Sequence, residues 1–428
     1  MSPITRAADL LEIYTMARES DPELRAVALA HQASQEVYKQ ARGGYLPAIS
    51  FSYDHTETEQ RIHDSDNVLF QTGRSDFPTD ALVLSLTQPV FRYANYVRIE
   101  QAKAEIEQAD AELARADQAL ILRVVEAYLG VLAARDRLDF LAAEQVSVEK
   151  QLALAEGREK AEVGRAADRL EAAARQAAVL ADQAVAQTNL DDAYRAVYEL
   201  TGETPSELAP LTREFPLTRP DPDDVQHWLD AAREQNREIA VQRHAVEVAR
   251  QEVRRQGAGH LPTVDLQLRE GFRDQGGTVF GGGSEVETRD LMVNVNVPLY
   301  AGGTVSAKRR EAVLRHQGEL EKLTGLARRI ERDTQRTFNA IVASIARIEA
   351  LNKQIVAQDE VLRLKKAGYE AALYSNLSVL DAERDLYAAK RDYAAARYEY
   401  LLNGLRLKAA IGTLSEADLA VSNGWLEP

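Results

Sequence analysis

The feature that most constrains this fold is the stretch LMVNVNVPLYAGG at 291–303. Apolar side chains occupy every second position from Leu291 to Leu299, and Asn294 and Asn296 lie between them. Such alternation predicts a β-strand with one apolar face and one amide-bearing face. A proline, an aromatic residue and two glycines follow, and then a long charged, alanine-rich segment that is typical of a coiled coil. Neither the strand nor the helix beside it can cover its own apolar surface.

The same plan occurs twice along the chain. Leu-Pro pairs at 46–47 and 261–262 each precede an alternating segment, and TQPVF at 87–91 corresponds to NVPLY at 296–300. Each second strand leads into a long helical pattern with apolar or small residues at spacings of three and four, followed by a return helix. This self-similarity indicates an internal duplication of roughly 210 residues.

The pattern divides the chain into four segments. The first repeat covers 1–201 and the second 236–411, and each contains a helix, a β-hairpin and a long helical hairpin. Between them, 202–235 begins with a proline-rich stretch that predicts a linker or a small irregular region. The last segment is 412–428.

Composition excludes several classes of protein. The formal net charge is -15, and no cluster of Lys and Arg marks a nucleic-acid groove. There is no cysteine, which excludes disulfides, thiolate metal sites, a cysteine nucleophile and a lipid-modified cysteine. No window approaches the roughly 20 apolar residues of a spanning helix. A membrane β-barrel remains possible, because apolar and polar residues alternate along its strands and the mean hydropathy of each strand is therefore mild.

Nothing in the sequence indicates an enzyme, a metal site or a cofactor. The 7 histidines are scattered and form no pair at ligand spacing. Adjacent acids such as Asp191-Asp192 and Asp223-Asp224 would diverge on a helix. The N-terminal MSPITRAADL lacks a signal peptide, so the protein is either cytoplasmic or has lost its signal.

Two isolated hairpins form only a marginal sheet, and a four-stranded sheet would keep two open edges. Several copies side by side could close a barrel with lipid outside and water inside. We assign to the lipid face Leu82, Leu84, Leu86, Leu266, Val293, Val295 and Val297. We assign to the barrel lumen Ser85, Thr87, Asp265, Gln267, Asn294 and Asn296. The alternative from another class is a soluble α+β protein that acts as a coiled-coil scaffold.

Over essentially its whole length the chain resembles the TolC family of outer-membrane channel proteins. The resemblance lies in DPEL at 21–24, the two Leu-Pro pairs, TQPVF, NVPLYAGG and the closing helix LSVLDAERDLYAAKRDYAAARYEYLLNGLRLKAAIGTL at 377–414. It implies an α+β membrane protein and a homotrimer in which four transmembrane strands per chain give one 12-stranded barrel above a long α-helical barrel. It also implies a mixed equatorial region, for which 202–235 and 412–428 are candidates, and a location in the outer membrane of a Gram-negative bacterium, extending into the periplasm, with the signal peptide removed.

The resemblance also implies site residues. Val163 and Gly164 match a hairpin tip that contacts a periplasmic adaptor, and Ala372 stands at the equivalent tip where Gly is usual. Asp381 matches an acidic position at the periplasmic constriction, where Ser378 replaces a second acid. Tyr369 matches a residue that holds the closed tip. Three Asp381 carboxylates around one axis would attract cations and repel anions.

The function implied is a passive exit duct that works with an adaptor and an inner-membrane pump. Type I protein secretion with an ATP-binding cassette transporter is favoured, because the chain has no cysteine to lipidate and YTMARESDPELRA at 14–26 is similar to that branch. The alternative is efflux of drugs or other small molecules with a proton-driven pump.

Overall fold

The computed structural model describes residues 7–64, 66, 72–212, 215–277, 282–371 and 373–427. Within them, the elements are α1 (Leu10–Ser20), α2 (Pro22–Gly43), β1 (Ala48–Ile62), β2 (Gly73–Phe91), α3 (Tyr93–Lys160), α4 (Ala166–Thr201), α5 (Val225–Gln235), α6 (Arg237–Gly257), a 3-10 turn (Ala258–His260), β3 (Thr263–Gln275), β4 (Ser284–Asn296), α7 (Thr304–Glu370), α8 (Asn376–Ala410) and α9 (Glu416–Asn423). The order helix, hairpin, long helical hairpin occurs twice, as the sequence predicts.

The described residues fall into two compact units. One contains Ala30–Asp110 and Gln242–Leu323, which include the whole sheet. The other is built from Met1–Leu29, Ala111–Val241 and Thr324–Pro428. Across the described ranges, no helix has both the length and the apolar character that a membrane-spanning helix requires.

The sheet unit contains four antiparallel strands in the order β1-β2-β3-β4. The register is continuous except for a bulge between Pro89 and Phe91, near the end of β2. Residues directly opposite each other in adjacent strands point to the same face. Leu86 therefore shares a face with Leu268, and Leu268 shares that face with Leu291.

The helical unit has a continuous apolar core. Its largest fully buried side chains include Ile13, Leu120, Tyr128, Leu208 and Leu407, and the small Ala17 is also fully buried. Tyr128 is buried with its hydroxyl satisfied, because that hydroxyl donates to the Ala209 carbonyl at 2.8 Å. Burial accordingly raises the pKa of the Tyr128 hydroxyl.

Local sequence signals explain where several helices begin. Asp9 and Glu12 form a capping box at the start of α1. At α2, the Leu24 N–H donates to Asp21 Oδ2 at 2.8 Å, and Pro22 is the first helical residue, where its missing N–H costs nothing. Asp21 is also buried and paired with Arg123 at 2.8 Å.

Parts of 202–235 and 412–428 pack together in the helical unit. The Thr212 N–H donates to the Trp425 carbonyl at 2.8 Å, and the Glu427 N–H donates to the Pro210 carbonyl at 2.8 Å. The Phe215 and Trp425 rings stack with centroids 5.8 Å apart. These contacts give the proline-rich segment a partner that its sequence alone does not reveal.

Candidate functional site

The structure separates the two predicted sets of sheet residues onto opposite faces. The register places Leu82, Leu84, Leu86, Leu266, Val293 and Val295 on one face, which we call the apolar face. It places Ser85, Thr87, Asp265, Gln267, Asn294 and Asn296 on the other, the polar face. Val297 lies just after the end of β4. On the apolar face Val293 is 66% exposed, so the chain by itself does not cover this surface.

The apolar residues form a band that crosses all four strands. It includes alternate residues in 49–53, 82–86, 264–268 and 291–295. On β2 and β3 one aromatic residue extends the band at each end, because Phe272 lies opposite Leu82 and Phe91 lies opposite Val264. On these two strands the band therefore begins and ends at the same height.

Charged residues lie on the same face on the loop side of the band. Among them, Glu270 of β3 pairs with Arg289 of β4 at 2.9 Å.

The polar face is connected by hydrogen bonds across strands. The Ser50 and Ser85 hydroxyls are 2.7 Å apart. Asp265 is buried and accepts two hydrogen bonds from Arg92, at 2.8 and 2.7 Å, so its carboxylate anchors the junction between β2 and α3. Asn294 and Asn296 are exposed. Sequence reasoning placed Asp265 on the correct face but did not identify Arg92 as its partner.

The first hairpin tip lies between α3 and α4. Val163 is 78% exposed there, and the N–H groups of Val163 and Gly164 both donate to the Arg158 carbonyl, at 3.0 and 2.9 Å. A Cβ on Gly164 would lie 2.7 Å from the Glu159 nitrogen, so only glycine fits this turn. Glu162 has a φ of 58°, a left-handed conformation that is uncommon outside glycine.

The second tip, between α7 and α8, is closed by the same pattern of hydrogen bonds. The N–H groups of Leu373 and Tyr374 both donate to the Gly368 carbonyl, at 2.7 and 3.3 Å. The Tyr374 ring lies so close to Gly368 that a Cβ there would clash with it. Leu373 is 78% exposed, like Val163 at the first tip. Ala372, the predicted adaptor contact, lies outside the described residues.

Tyr369 is buried beside this second tip. The Arg158 guanidinium of α3 lies over its ring, 4.4 Å from the centroid, and the Tyr369 hydroxyl is buried with no hydrogen-bond partner among the described residues. The ring, rather than the hydroxyl, therefore links the two helical hairpins in this structure.

Asp381 and Ser378 occupy the first turns of α8. Asp381 is half exposed and lies 3.3 Å from Arg384, which also pairs with Asp385 at 2.8 Å. The Asp385 carboxylate beside it raises the pKa of Arg384. The Ser378 N–H donates to the Ser375 hydroxyl at 3.2 Å, which caps the helix. Sequence reasoning did not identify Arg384 as the counterion of Asp381.

Sequence reasoning also missed a buried carboxylate next to Asp381. Glu383 is fully buried, and its Oε1 lies 2.7 Å from Lys366 Nζ of α7. The same oxygen accepts a hydrogen bond from the Ser147 hydroxyl of α3, while Oε2 has no partner among the described residues. The signal for this site was present, because Glu383 falls between Leu380 and Tyr387 in the pattern of threes and fours, where an apolar residue is expected.

A half-buried acid also lies in the helical unit. Asp136 Oδ2 accepts a hydrogen bond from the Tyr398 hydroxyl at 2.7 Å. Burial raises the pKa of the Asp136 carboxyl, and the Tyr398 hydrogen bond offsets only part of that rise.

Solved structures define the class of protein that has this fold. The chain superposes on a membrane protein from Pseudomonas aeruginosa with a TM-score of 0.80, at 20% identity, over 96% of this chain and 93% of the other. The outer membrane protein VceC of Vibrio cholerae gives a TM-score of 0.78, at 19% identity, over 94% of this chain and 96% of the other. The fold is therefore that of the outer-membrane channels, which confirms the predicted α+β class.

Sequence comparison identifies the family. The pattern of the outer membrane efflux protein family matches residues 13–203 and 228–413. The outer membrane protein TolC of Vibrio cholerae is 31% identical over 100% of this chain and 96% of its own length. The chain belongs to the outer membrane efflux protein family. This confirms the resemblance and the predicted outer-membrane location.

Other relatives differ in what their names say they transport. The protease secretion protein PrtF of Dickeya chrysanthemi is 28% identical over 99% of this chain and 92% of its own length. The toluene efflux pump outer membrane protein TtgF of Pseudomonas putida is 24% identical over 94% of this chain and 82% of its own length. These names describe channels and secretion proteins, which agrees with the prediction that the chain is not an enzyme.

Proposed function

We propose that three copies of this chain form a passive duct through the outer membrane. The duct conducts substrate that an inner-membrane pump delivers through a periplasmic adaptor. The observation that carries this proposal is the exposed apolar band, on which Val293 is 66% exposed in the chain alone. Strands of a membrane barrel alternate in this way, with apolar residues toward lipid and polar residues toward the lumen.

Closure by several copies also removes the open edges of the sheet. Each four-stranded sheet ends at β1 on one side and β4 on the other, with unpaired backbone groups along both strands. Pairing β4 of one copy with β1 of the next gives 12 strands when three copies close the ring. The seven predicted lipid-facing residues then contact acyl chains, while Asn294 and Asn296 line a wet lumen.

The remaining site assignments belong to this proposal. Val163, Gly164 and Ala372 form adaptor contacts at the two tips, and Asp381 with Ser378 lines the periplasmic entrance. Tyr369 holds the closed entrance through its contact with Arg158, 4.4 Å from the ring centroid. Segments 202–235 and 412–428 form the equatorial region.

We infer that the cargo is an unfolded polypeptide moved by a type I system with an ATP-binding cassette pump. PrtF, which is named for protease secretion, is 28% identical to this chain, whereas TtgF, which is named for toluene efflux, is 24% identical. Efflux of small molecules is the second candidate.

Two measurements test the proposal. The purified protein should migrate as a trimer and give single-channel currents in a planar bilayer; a non-conducting trimer would refute the duct. Deletion of the gene should abolish secretion of a polypeptide encoded beside it and leave sensitivity to toxic small molecules unchanged. The opposite pattern, normal secretion with greater sensitivity to toxic small molecules, would favour small-molecule efflux over protein secretion.

A further inference from the structure

An exposed basic cluster lies directly below the border of the apolar band on the helix side. After β4 ends, Leu299 and Tyr300 are 92% and 87% exposed, and α7 begins at Thr304. Lys308, Arg309 and Arg310 follow in the second turn of this helix and are all exposed. The chain therefore places two apolar side chains and then three cations along one short path away from the band.

These three cations differ from most of the others on the same helix. Within the described residues, Lys308, Arg309 and Arg310 have no ion pair or hydrogen bond. Further along α7, most cations have an acidic partner close by, such as Glu311 for Arg315 at 2.6 Å and Glu319 for Lys322 at 2.8 Å. Unpaired guanidinium groups keep all their donors available for an external anion.

The cluster also borders a groove of suitable size. A groove of about 530 Å³ lies between the 3-10 turn after α6 and the first turns of α7. Its polar lining consists of His260, Ser306, Arg309 and Arg310, with a glutamine at the far end, and its apolar lining consists of Val313 and Leu314. Small-molecule sites have volumes of about 300–1,000 Å³, so a phosphate-bearing headgroup can enter this one.

The basic cluster lies beyond the helix-side border of the band. Lys308 to Arg310 lie about 6–9 Å beyond Thr304 along the helix axis. The opposite border, on the loop side, carries several acids on the same face, namely Glu57, Glu59, Glu285 and Glu287. Two cations at that border are paired with acids, Arg289 with Glu270 at 2.9 Å and Arg74 with Glu59 at 3.2 Å.

We propose that Lys308, Arg309, Arg310 and the adjacent groove bind the phosphodiester of an anionic phospholipid in the leaflet on the helix side. Two planar guanidinium groups can each donate two hydrogen bonds to phosphate oxygens, and Lys308 adds a third charge. Leu299 and Tyr300 lie at the acyl boundary beside them. The inference rests on the proposed function, because it requires the sheet to lie in a bilayer.

Native mass spectrometry of the full-length trimer tests this site. The protein is exchanged from detergent into mixed micelles that contain phosphatidylglycerol or phosphatidylcholine. We expect the wild type to retain phosphatidylglycerol selectively. The double variant Arg309→Gln/Arg310→Gln should bind it roughly thirtyfold more weakly, since each basic residue near a lipid surface contributes about a factor of five.

A matched variant controls for the loss of two charges. Arg329→Gln/Arg332→Gln removes two cations from the same helix that are already paired, with Glu238 at 3.2 Å and Asp333 at 2.9 Å. It should retain phosphatidylglycerol as the wild type does. Equal retention by the wild type and the Arg309/Arg310 variant would overturn the proposal, and so would equal loss in both double variants.

Two further outcomes identify other partners for the cluster. Displacement of the lipid by inorganic phosphate alone would show a site for free anions and would overturn the lipid assignment. Dissociation of the Arg309/Arg310 variant into monomers, with the control still trimeric, would show that a neighbouring copy covers the cations, and this too would overturn it. Single-channel currents recorded on the wild type separate this result from the proposed function: currents without lipid selectivity refute only the lipid site.

Discussion

A single arginine placed on adjacent positions of β4 should have opposite consequences. Val293 lies on the apolar face and Asn294 on the polar face, so Val293→Arg and Asn294→Arg add the same charge at the same height in the sheet. Val293 is 66% exposed in the isolated chain, and in the duct its environment becomes lipid. Asn294 lies opposite Asp265, in a face that we expect to be wet.

The magnitude follows from the position of Val293 in the band. Membrane-barrel strands tilted at roughly 45° rise about 2.4 Å per residue across the band, so Val293 is about 5 Å inside the border at Leu291 and about 10 Å from Val297. A lipid-facing arginine costs about 2–4 kcal/mol at the midplane and about 0–1 kcal/mol near the interface. We expect Val293→Arg to reduce the free energy of unfolding by about 2–3 kcal/mol per chain, and Asn294→Arg to change it by less than about 1 kcal/mol.

Urea titration in phospholipid vesicles, at one fixed protein concentration, measures both variants. Tryptophan fluorescence and the heat-dependent gel mobility of the trimer report the folded fraction. Equal losses for the two variants, or a larger loss for Asn294→Arg, would refute the assignment of the two faces.

Three further results are expected. Gly164→Ala should destabilise the first tip by about 1–3 kcal/mol, because its Cβ would overlap the backbone, and faster hydrogen exchange confined to that tip would report it. Lys366→Met should lower the free energy of unfolding by about 3–5 kcal/mol, because it leaves Glu383 charged and buried. Adding Glu383→Leu to this variant should recover most of the loss, as measured by thermal unfolding. Asp136→Asn should raise the Tm at pH 7, where the folded state holds a carboxylate that burial disfavours, and this gain should vanish by about pH 4 as the unfolded carboxyl is protonated too. Tyr398→Phe should lower the Tm at pH 7, because it removes the hydrogen bond that holds the Asp136 pKa down, and this loss should shrink toward pH 4.

The faces of the sheet could be predicted from the sequence because side-chain direction alternates strictly along a strand. Within β2, β3 and β4, the two predicted sets therefore lie on opposite faces of the sheet, and the duplicated order of elements is visible from the Pro and Gly junctions. Val297 lies beyond the strand end because Pro298, which has no N–H to donate, follows it directly.

Contacts between distant helices could not be predicted in the same way. The pairing of Arg92 with Asp265 joins residues 173 positions apart, and the contact of Arg158 with Tyr369 joins two different helical hairpins. Local periodicity assigns a residue to a side of its own helix but does not identify its neighbour on another. Glu383 illustrates this limit: its position is apolar by pattern, and only the packing of three helices shows Lys366 and Ser147 around it.

The order of strands in the sheet has a consequence for how the protein folds. β1 and β2 are neighbours in the chain, but β2 also pairs with β3, which follows only after all of α3, α4, α5 and α6. A first hairpin that forms before β3 arrives presents Phe51 and Leu84 with no partner strand beyond β2, and such surfaces promote aggregation. We therefore expect folding to succeed only when the first hairpin is shielded until β3 can pair with it.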